Sequence, residues 1–169
     1  MSVESLFVNA SAAKLRQLTG RISVCLSKLS EDQVWARGHE SENAVGNLAL
    51  HLAGNVRQWI IAGLGGRPDV RVRALEFSTQ SGVTIAELTA RLSETAEEAA
   101  GVISGLTGEQ LTRSYTIQGL TVSGLEAVLH VVEHFGQHTG QIIFATKNLT
   151  GEDLGLVAPR SAGGVPRTH

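Results

Sequence analysis

Three histidines in one short segment are the residues of this chain best suited to chemistry. His130, His134 and His138 follow one another at four-residue intervals, so half of the six histidines lie within nine positions. Residues four apart lie on one face of an α-helix, one turn from each other. Imidazole is the commonest metal ligand in proteins and the usual acid/base group near neutral pH. The segment therefore indicates metal binding or proton transfer.

The rise of a helix limits how many of these histidines can share one ion. At about 1.5 Å per residue, side chains four apart are separated by roughly 6 Å and those eight apart by about 12 Å. Two imidazoles at the shorter spacing can converge on an ion that lies about 2.1 Å from each nitrogen. The spacing leaves open whether His130 and His134 or His134 and His138 form that pair, and it requires a further ligand from another segment.

His51 is the candidate for this further ligand, because it lies in the middle of an apolar helical segment. Three nitrogen ligands leave one coordination position open for water or substrate, which is the arrangement of catalytic metal sites. The alternative is a buried histidine that hydrogen-bonds to backbone or to Asn55, as buried polar groups commonly do. The repeated four-residue spacing, together with a separate histidine on an apolar face, favours the metal site.

Composition restricts the classes of protein to which the chain belongs. Its 169 residues suit one domain with a sizeable core. No apolar run approaches the ~20 residues of a membrane span, and the first residues lack the pattern of a secretory signal, so we expect a cytoplasmic location. A net charge of −2 without a basic block argues against nucleic acid and membranes as partners. The single cysteine, Cys25, excludes an internal disulfide and a cysteine-based zinc site.

Hydrophobic periodicity and capping patterns predict an all-α fold. Apolar residues recur at intervals of three or four, and Ser/Thr-x-x-Glu/Gln capping boxes mark several helix starts. The long helices are expected at about 5–29, 42–63 with Ser41 as its cap, 84–104 and 122–148. Four helices of this length suggest a four-helix bundle, and the long crossover over 64–82 allows helices 2 and 3 to run in parallel.

The shorter segments complete this organisation. Capping boxes at Ser30 and Thr107 predict two short helical turns. The stretch 114–120 is partly β-branched, which favours an extended conformation. We expect a single domain over residues 1–155 and an irregular C-terminal tail, rich in glycine, over 156–169.

Two motifs together resemble a known family. The segments Asn47-Leu-Ala-Leu-His51-Leu-Ala-Gly-Asn55 and His134-Phe-Gly-Gln-His138-Thr-Gly-Gln-Ile resemble the DinB-like superfamily and, within it, a branch of domains of unknown function. The resemblance covers about residues 5–155. It implies a metal-binding four-helix bundle with up-down-down-up topology, often dimeric. It also implies a divalent metal held by His51, His134 and His138, which leaves His130 outside the ligand set.

The resemblance also carries expectations about activity. The superfamily includes metal-dependent enzymes that use low-molecular-weight thiols such as mycothiol or bacillithiol. We therefore expect Zn²⁺ or Ni²⁺, both of which imidazole suits, a thiol cosubstrate, a small electrophilic substrate, transferase chemistry and a homodimer. A non-enzymatic metal-binding or dimerisation bundle and a metal-dependent hydrolase are the alternatives. Asn55, His130 and Gln137 are expected to support the ligands from around the site.

Overall fold

The computed structural model describes residues 2–156, and almost all of its regular structure is helical. This confirms the all-α prediction. Apart from its first position, the predicted tail over 156–169 lies outside the described residues, and the limits of the domain stay a prediction. Among the helices of the described range, none combines the length and apolar character that a membrane crossing needs.

Four long helices form a bundle around one hydrophobic core. Their bounds are Val3–Ser27 for α1, Val45–Val56 for α3, Ile85–Ser104 for α5 and Gly124–Thr150 for α7. Helix α3 continues directly as a π-helix over Arg57–Leu64. Helices α1 and α3 each pack against both α5 and α7. Each long helix contributes a fully buried side chain to the centre, namely Leu15, Leu52, Leu92 and Phe135. The up-down-down-up order stays a prediction.

Short elements join the long helices. They are the helices α2 (Glu31–Trp35), α4 (Arg73–Ser78) and α6 (Gly108–Thr112), and the strands β1 (Ser114–Ile117) and β2 (Leu120–Ser123). The turns at Ser30 and Thr107 are confirmed, since each residue completes a capping box with a glutamine. The long crossover over 64–82 contains α4, which packs on α3.

The stretch expected to be extended is the first half of a β-hairpin. Strands β1 and β2 pair antiparallel, with Ser114 opposite Ser123. The two residues between them, Gln118 and Gly119, have φ of 54° and 77°, as a tight two-residue hairpin turn requires. Because the second strand uses residues up to Ser123, α7 begins at Gly124 and not near residue 122.

The start of α3 differs from the prediction of a Ser41 cap. The helix begins after Ala44, and Asn47 in its first turn reaches back to accept a hydrogen bond from the Ala44 N–H at 3.2 Å. The amide nitrogen of Asn47 donates to the carbonyl oxygens of Glu76 and Thr79, at 2.9 and 2.7 Å. One asparagine therefore replaces the expected cap and ties the crossover to α3.

Candidate metal centre

Three histidine side chains from two helices meet inside the bundle. The Nε2 atom of His134 on α7 lies 3.2 Å from Nε2 of His51 on α3 and 3.1 Å from Nε2 of His138 on α7. One nitrogen from each ring lies within 4.8 Å of the other two. A tetrahedral ion with bonds of about 2.1 Å spaces its ligands about 3.4 Å apart. The cluster therefore fits a metal ion, with His134 and His138 as the pair on α7.

His51 is the buried member of the cluster, and a carboxylate sets its orientation. Its Nδ1 atom lies 2.9 Å from Oε2 of Glu76, and only 6% of the residue is exposed. An ionised carboxylate can only accept, so Nδ1 carries the proton and Nε2 keeps a free lone pair toward the cluster. Carboxylates commonly orient metal-binding histidines in this way. The ring of Phe77 packs against His51, with ring centres 4.9 Å apart.

Glu76 is itself held by a buried arginine. Arg71 binds the carboxylate in a bidentate manner, with Nε 2.7 Å from one oxygen and an Nη 2.9 Å from the other. Burial would raise the pKa of Glu76, but the hydrogen bonds from Arg71 and His51 outweigh it and hold that pKa below its usual range. Glu76 is therefore a carboxylate at neutral pH. Arg71 also donates a hydrogen bond to the side-chain oxygen of Gln58 at 2.9 Å.

Gly54 makes room for this ion pair on the surface of α3. A Cβ at that position would lie 2.0 Å from Oε1 of Glu76 and 3.1 Å from Nε of Arg71. The carboxylate cannot retreat without giving up its contacts with Arg71 and His51. A residue without a side chain is thus needed one turn beyond His51.

The two α7 histidines have weaker support and greater exposure. Both are half-buried. Nδ1 of His138 lies 2.6 Å from the amide oxygen of Gln141. This oxygen accepts a hydrogen bond from Nδ1–H, so Nε2 of His138 keeps a free lone pair. Nδ1 of His134 is buried and has no hydrogen-bond partner among the described residues.

Burial and mutual repulsion keep these two imidazoles neutral. The pKa of His134 falls from 6.5 to about 4, mainly because of burial and then because of the neighbouring His138 and His51. Burial also lowers the pKa of His138, against the opposing effect of Gln141. A neutral imidazole is the form that binds a metal ion. At neutral pH the cluster is therefore ready to accept one.

The three residues that were expected to support the ligands have different surroundings in the structure. His130 packs against Trp59, with ring centres 4.1 Å apart and the planes tilted by 39°, and stacks on His134 at 5.6 Å, so it lies beside the cluster. Asn55 is buried on α3, and its Oδ1 has no partner in the described range. Gln137 is exposed and donates to Glu133 on its own helix at 3.3 Å. The amide that touches a ligand is that of Gln141.

The sequence pattern did not predict the contact between Glu76 and His51. Arg73 lies over the ring of Phe77 at 4.9 Å. Glu76 is 25 residues from His51, a separation with no periodic meaning. The sequence feature that could have indicated this contact is Glu76 next to Phe77, a carboxylate beside an aromatic residue in the crossover.

Two cavities flank the centre. One, of about 580 Å³, lies between the 36–45 segment and α7, and Gln141 is part of its wall. The other, of about 500 Å³, is lined by the Arg71–Glu76 pair and by apolar residues of the crossover, among them Val70, Val72 and Leu75. Each cavity therefore reaches a residue that touches a histidine of the cluster, Gln141 in the first and Glu76 in the second.

Solved structures share this fold. A conserved protein from Enterococcus faecalis matches at a TM-score of 0.73 with 15% identity, covering 90% of this chain and 99% of its own. A DinB-like protein, YjoA, from Bacillus subtilis matches at 0.65 with 18% identity, covering 85% of this chain and 94% of its own. These identities show the fold alone. No curated protein matches the sequence. A family model described as a protein of unknown function, DUF1572, matches residues 2–161. The chain has a DinB-like fold and belongs to the DUF1572 family.

Proposed function

We propose that this protein is a divalent-metal-dependent enzyme that transfers a low-molecular-weight thiol to a small electrophile. The observation that carries the proposal is the convergence of three imidazole nitrogens without a fourth protein ligand in the cluster formed by the described residues. Three histidine ligands with an open position characterise catalytic rather than structural sites. Zn²⁺ and Ni²⁺ both suit imidazole, so the proposal covers either ion.

The chain's own residues have distinct parts in this proposal. Glu76 and Gln141 hold protons on Nδ1 of His51 and His138, which keeps both Nε2 atoms directed at the ion. Arg71 balances the charge of Glu76 inside the protein. A divalent ion at the three nitrogens would lower the pKa of a thiol at the open position, so that thiolate is available near neutral pH.

The surroundings of the cluster favour thiol transfer over hydrolysis. Glu76, the carboxylate that touches a ligand, is already engaged by Arg71 and His51 and is not free to act as a base for water. A thiolate needs no such base. Its sulfur bonds to the electrophilic carbon, the leaving group departs with its electron pair, and the thiol proton passes to solvent. The DinB-like fold supports the same chemistry by analogy alone.

Metal content is the first test. Protein purified without a histidine tag is expected to carry close to one divalent ion per chain. His51→Ala and His138→Ala should lose it, whereas the matched variant His130→Ala should retain it, because His130 packs on Trp59 outside the cluster. Folded protein that takes up no divalent ion would refute the proposal.

Activity is the second test, on the same metal-loaded sample. Conjugation of cysteine-derived thiols to 1-chloro-2,4-dinitrobenzene is expected in the wild type and absent in His51→Ala. Hydrolysis of 4-nitrophenyl acetate without conjugation would favour a hydrolase. Absence of both, with the ion bound, would favour a non-enzymatic bundle. The homodimer and the cytoplasmic location stay predictions.

A further inference from the structure

Two buried polar atoms in the bundle lack partners within residues 2–156. They are Oδ1 of Asn55 on α3 and Nδ1 of His134 on α7. Buried polar atoms are nearly always hydrogen-bonded, and leaving one unpaired destabilises the folded protein. Two such atoms at one helix interface need a common explanation.

The register of α3 against α7 places these residues at the same level. His51 meets His134 through their Nε2 atoms, and Trp59 packs against His130. Asn55 lies midway between His51 and Trp59, four residues from each, and is 4% exposed. Residues four apart share a helix face. Asn55 therefore faces the turn of α7 between His130 and His134.

The protons of the cluster explain why the two atoms are unpaired. His51 and His138 each donate from Nδ1, to Glu76 and Gln141, so their Nε2 atoms can only accept. Nε2 of His134 lies within hydrogen-bond distance of both and must be the donor. Nδ1 of neutral His134 then has a lone pair and no proton. Two acceptors, this nitrogen and the Asn55 oxygen, cannot bond to each other.

We propose that Asn55 is a positioning residue that accepts a hydrogen bond from Nδ1–H of His134 once Nε2 of that ring holds the metal ion. The inference rests on the metal centre of the proposed function. Coordination requires His134 to release its Nε2 proton to solvent, and Nδ1 takes one up, so the ring stays neutral. The new N–H donor then meets the unpaired oxygen of Asn55.

This contact gives each of the three histidines an oxygen acceptor on Nδ1. Glu76 serves His51, Gln141 serves His138, and Asn55 serves His134. Residues that orient metal ligands typically contribute 10–100-fold to metal affinity. Removing the Asn55 acceptor is expected to weaken metal binding by about that factor.

The test compares variants at Asn55 with a matched variant at Asn47. In the apoprotein Asn55→Leu removes an unpaired oxygen, so its Tm is expected to equal or exceed that of the wild type. Its Kd for Zn²⁺, from competition with a chromophoric chelator, is expected to rise about 10–100-fold. Asn55→Asp keeps an acceptor and should bind Zn²⁺ within a few-fold of the wild type. Asn47→Leu breaks the contacts with Ala44, Glu76 and Thr79 and should lower the apoprotein Tm.

A spectroscopic readout separates positioning from simple packing. In ¹⁵N-histidine-labelled protein loaded with Zn²⁺, Nδ1–H of His134 is expected as a slowly exchanging, downfield proton signal that disappears in Asn55→Leu. An unchanged signal and unchanged Kd in that variant, with the wild type still binding Zn²⁺, would overturn the role of Asn55 alone. A wild type that binds neither Zn²⁺ nor Ni²⁺ would overturn the metal centre and this inference together.

Discussion

The two helices that build the centre support their histidines in different ways. On α3, His51 is buried and contacts a charged pair, Glu76 and Arg71, whose side chains are 9% and 3% exposed. On α7, the two histidines are half-buried, and the partner of His138 is the neutral, exposed amide of Gln141. One half of the site is thus fixed by buried charge and the other by a surface contact.

This difference indicates a division of work between the halves. Glu76 lies in the crossover, where Arg71 holds its carboxylate. Asn47 of α3 donates a hydrogen bond to the Glu76 carbonyl oxygen at 2.9 Å and so joins the crossover to α3. A ligand held this way would fix the position of a bound ion. The α7 side borders the cavity beside Gln141. Removing Glu76, the partner of the α3 histidine, should therefore change both stability and metal binding, whereas removing Gln141, the partner of His138 on α7, should change metal binding alone.

Removing the carboxylate of Glu76 is the largest expected disruption. Glu76→Ala leaves Arg71 buried without its partner, and breaking a buried pair in this way costs about 3–5 kcal/mol. His51 also loses its acceptor, which should weaken metal binding about 10–100-fold. Urea unfolding of the apoprotein and metal competition measure the two effects separately.

A double variant checks the cause of the lost stability. Arg71→Met with Glu76→Leu removes both charges, and replacing a buried ion pair by apolar residues is often neutral for folding. Stability should largely return, whereas metal affinity should stay low because His51 still lacks an acceptor. Full recovery of metal affinity in the double variant would contradict the orienting role of Glu76.

A methyl group at Gly54 is expected to act on the same pair from the opposite side. Gly54→Ala places Cβ 2.0 Å from Oε1 of Glu76, and overpacking of this kind typically costs about 1–3 kcal/mol. Gly101→Ala is the matched control, since its Cβ would meet nothing within 4 Å. That change on α5 should stabilise the protein by about 0.5–1 kcal/mol. Equal effects of the two substitutions, in urea unfolding, would show that Glu76 is not held in place.

The free energy of unfolding should depend on pH through the two histidines of the cluster on α7. The pKa of His134 is about 4 in the folded protein against 6.5 ordinarily, and that of His138 is also lowered. Between these values the unfolded chain binds more protons than the folded one, so stability falls as pH decreases from 6.5 toward 4. His134→Gln should flatten this slope in denaturant titrations of the apoprotein.

The helices and the histidine pair could be predicted because both depend on short-range periodicity. Four-residue spacing placed the histidines on one face of α7, and capping boxes marked most helix starts. Spacing alone could not choose between His130 and His138, since both lie four residues from His134. The structure distinguishes them by packing, because the ring of Trp59 contacts that of His130.

The supporting contacts depend on tertiary structure and carry no local signature. Glu76 reaches His51 only because the crossover folds back on α3, and Gly54 is explained only by that contact. Ser41 and Asn47 are both good capping residues. Asn47 determines the start of α3 because the same side chain also binds the Glu76 and Thr79 carbonyls. Residue type does not show which of Gln137 and Gln141 supports a ligand. Their different positions around α7 do, because Gln141 contacts His138 whereas Gln137 contacts Glu133.

Gln141→Ala is expected to have the smallest effect, and it tests the comparison most directly. Gln141 is exposed, so its loss should leave urea unfolding of the apoprotein unchanged within about 0.5 kcal/mol. His138 would keep its position on α7 but lose the acceptor on Nδ1, 2.6 Å away. Because water can replace an exposed amide, we expect metal affinity to fall by less than the 10–100-fold expected for Glu76→Ala. Gln137→Ala is the control, since that amide binds Glu133 and should affect neither quantity. A loss of affinity in Gln141→Ala as large as in Glu76→Ala would mean that exposed and buried partners orient their ligands equally well.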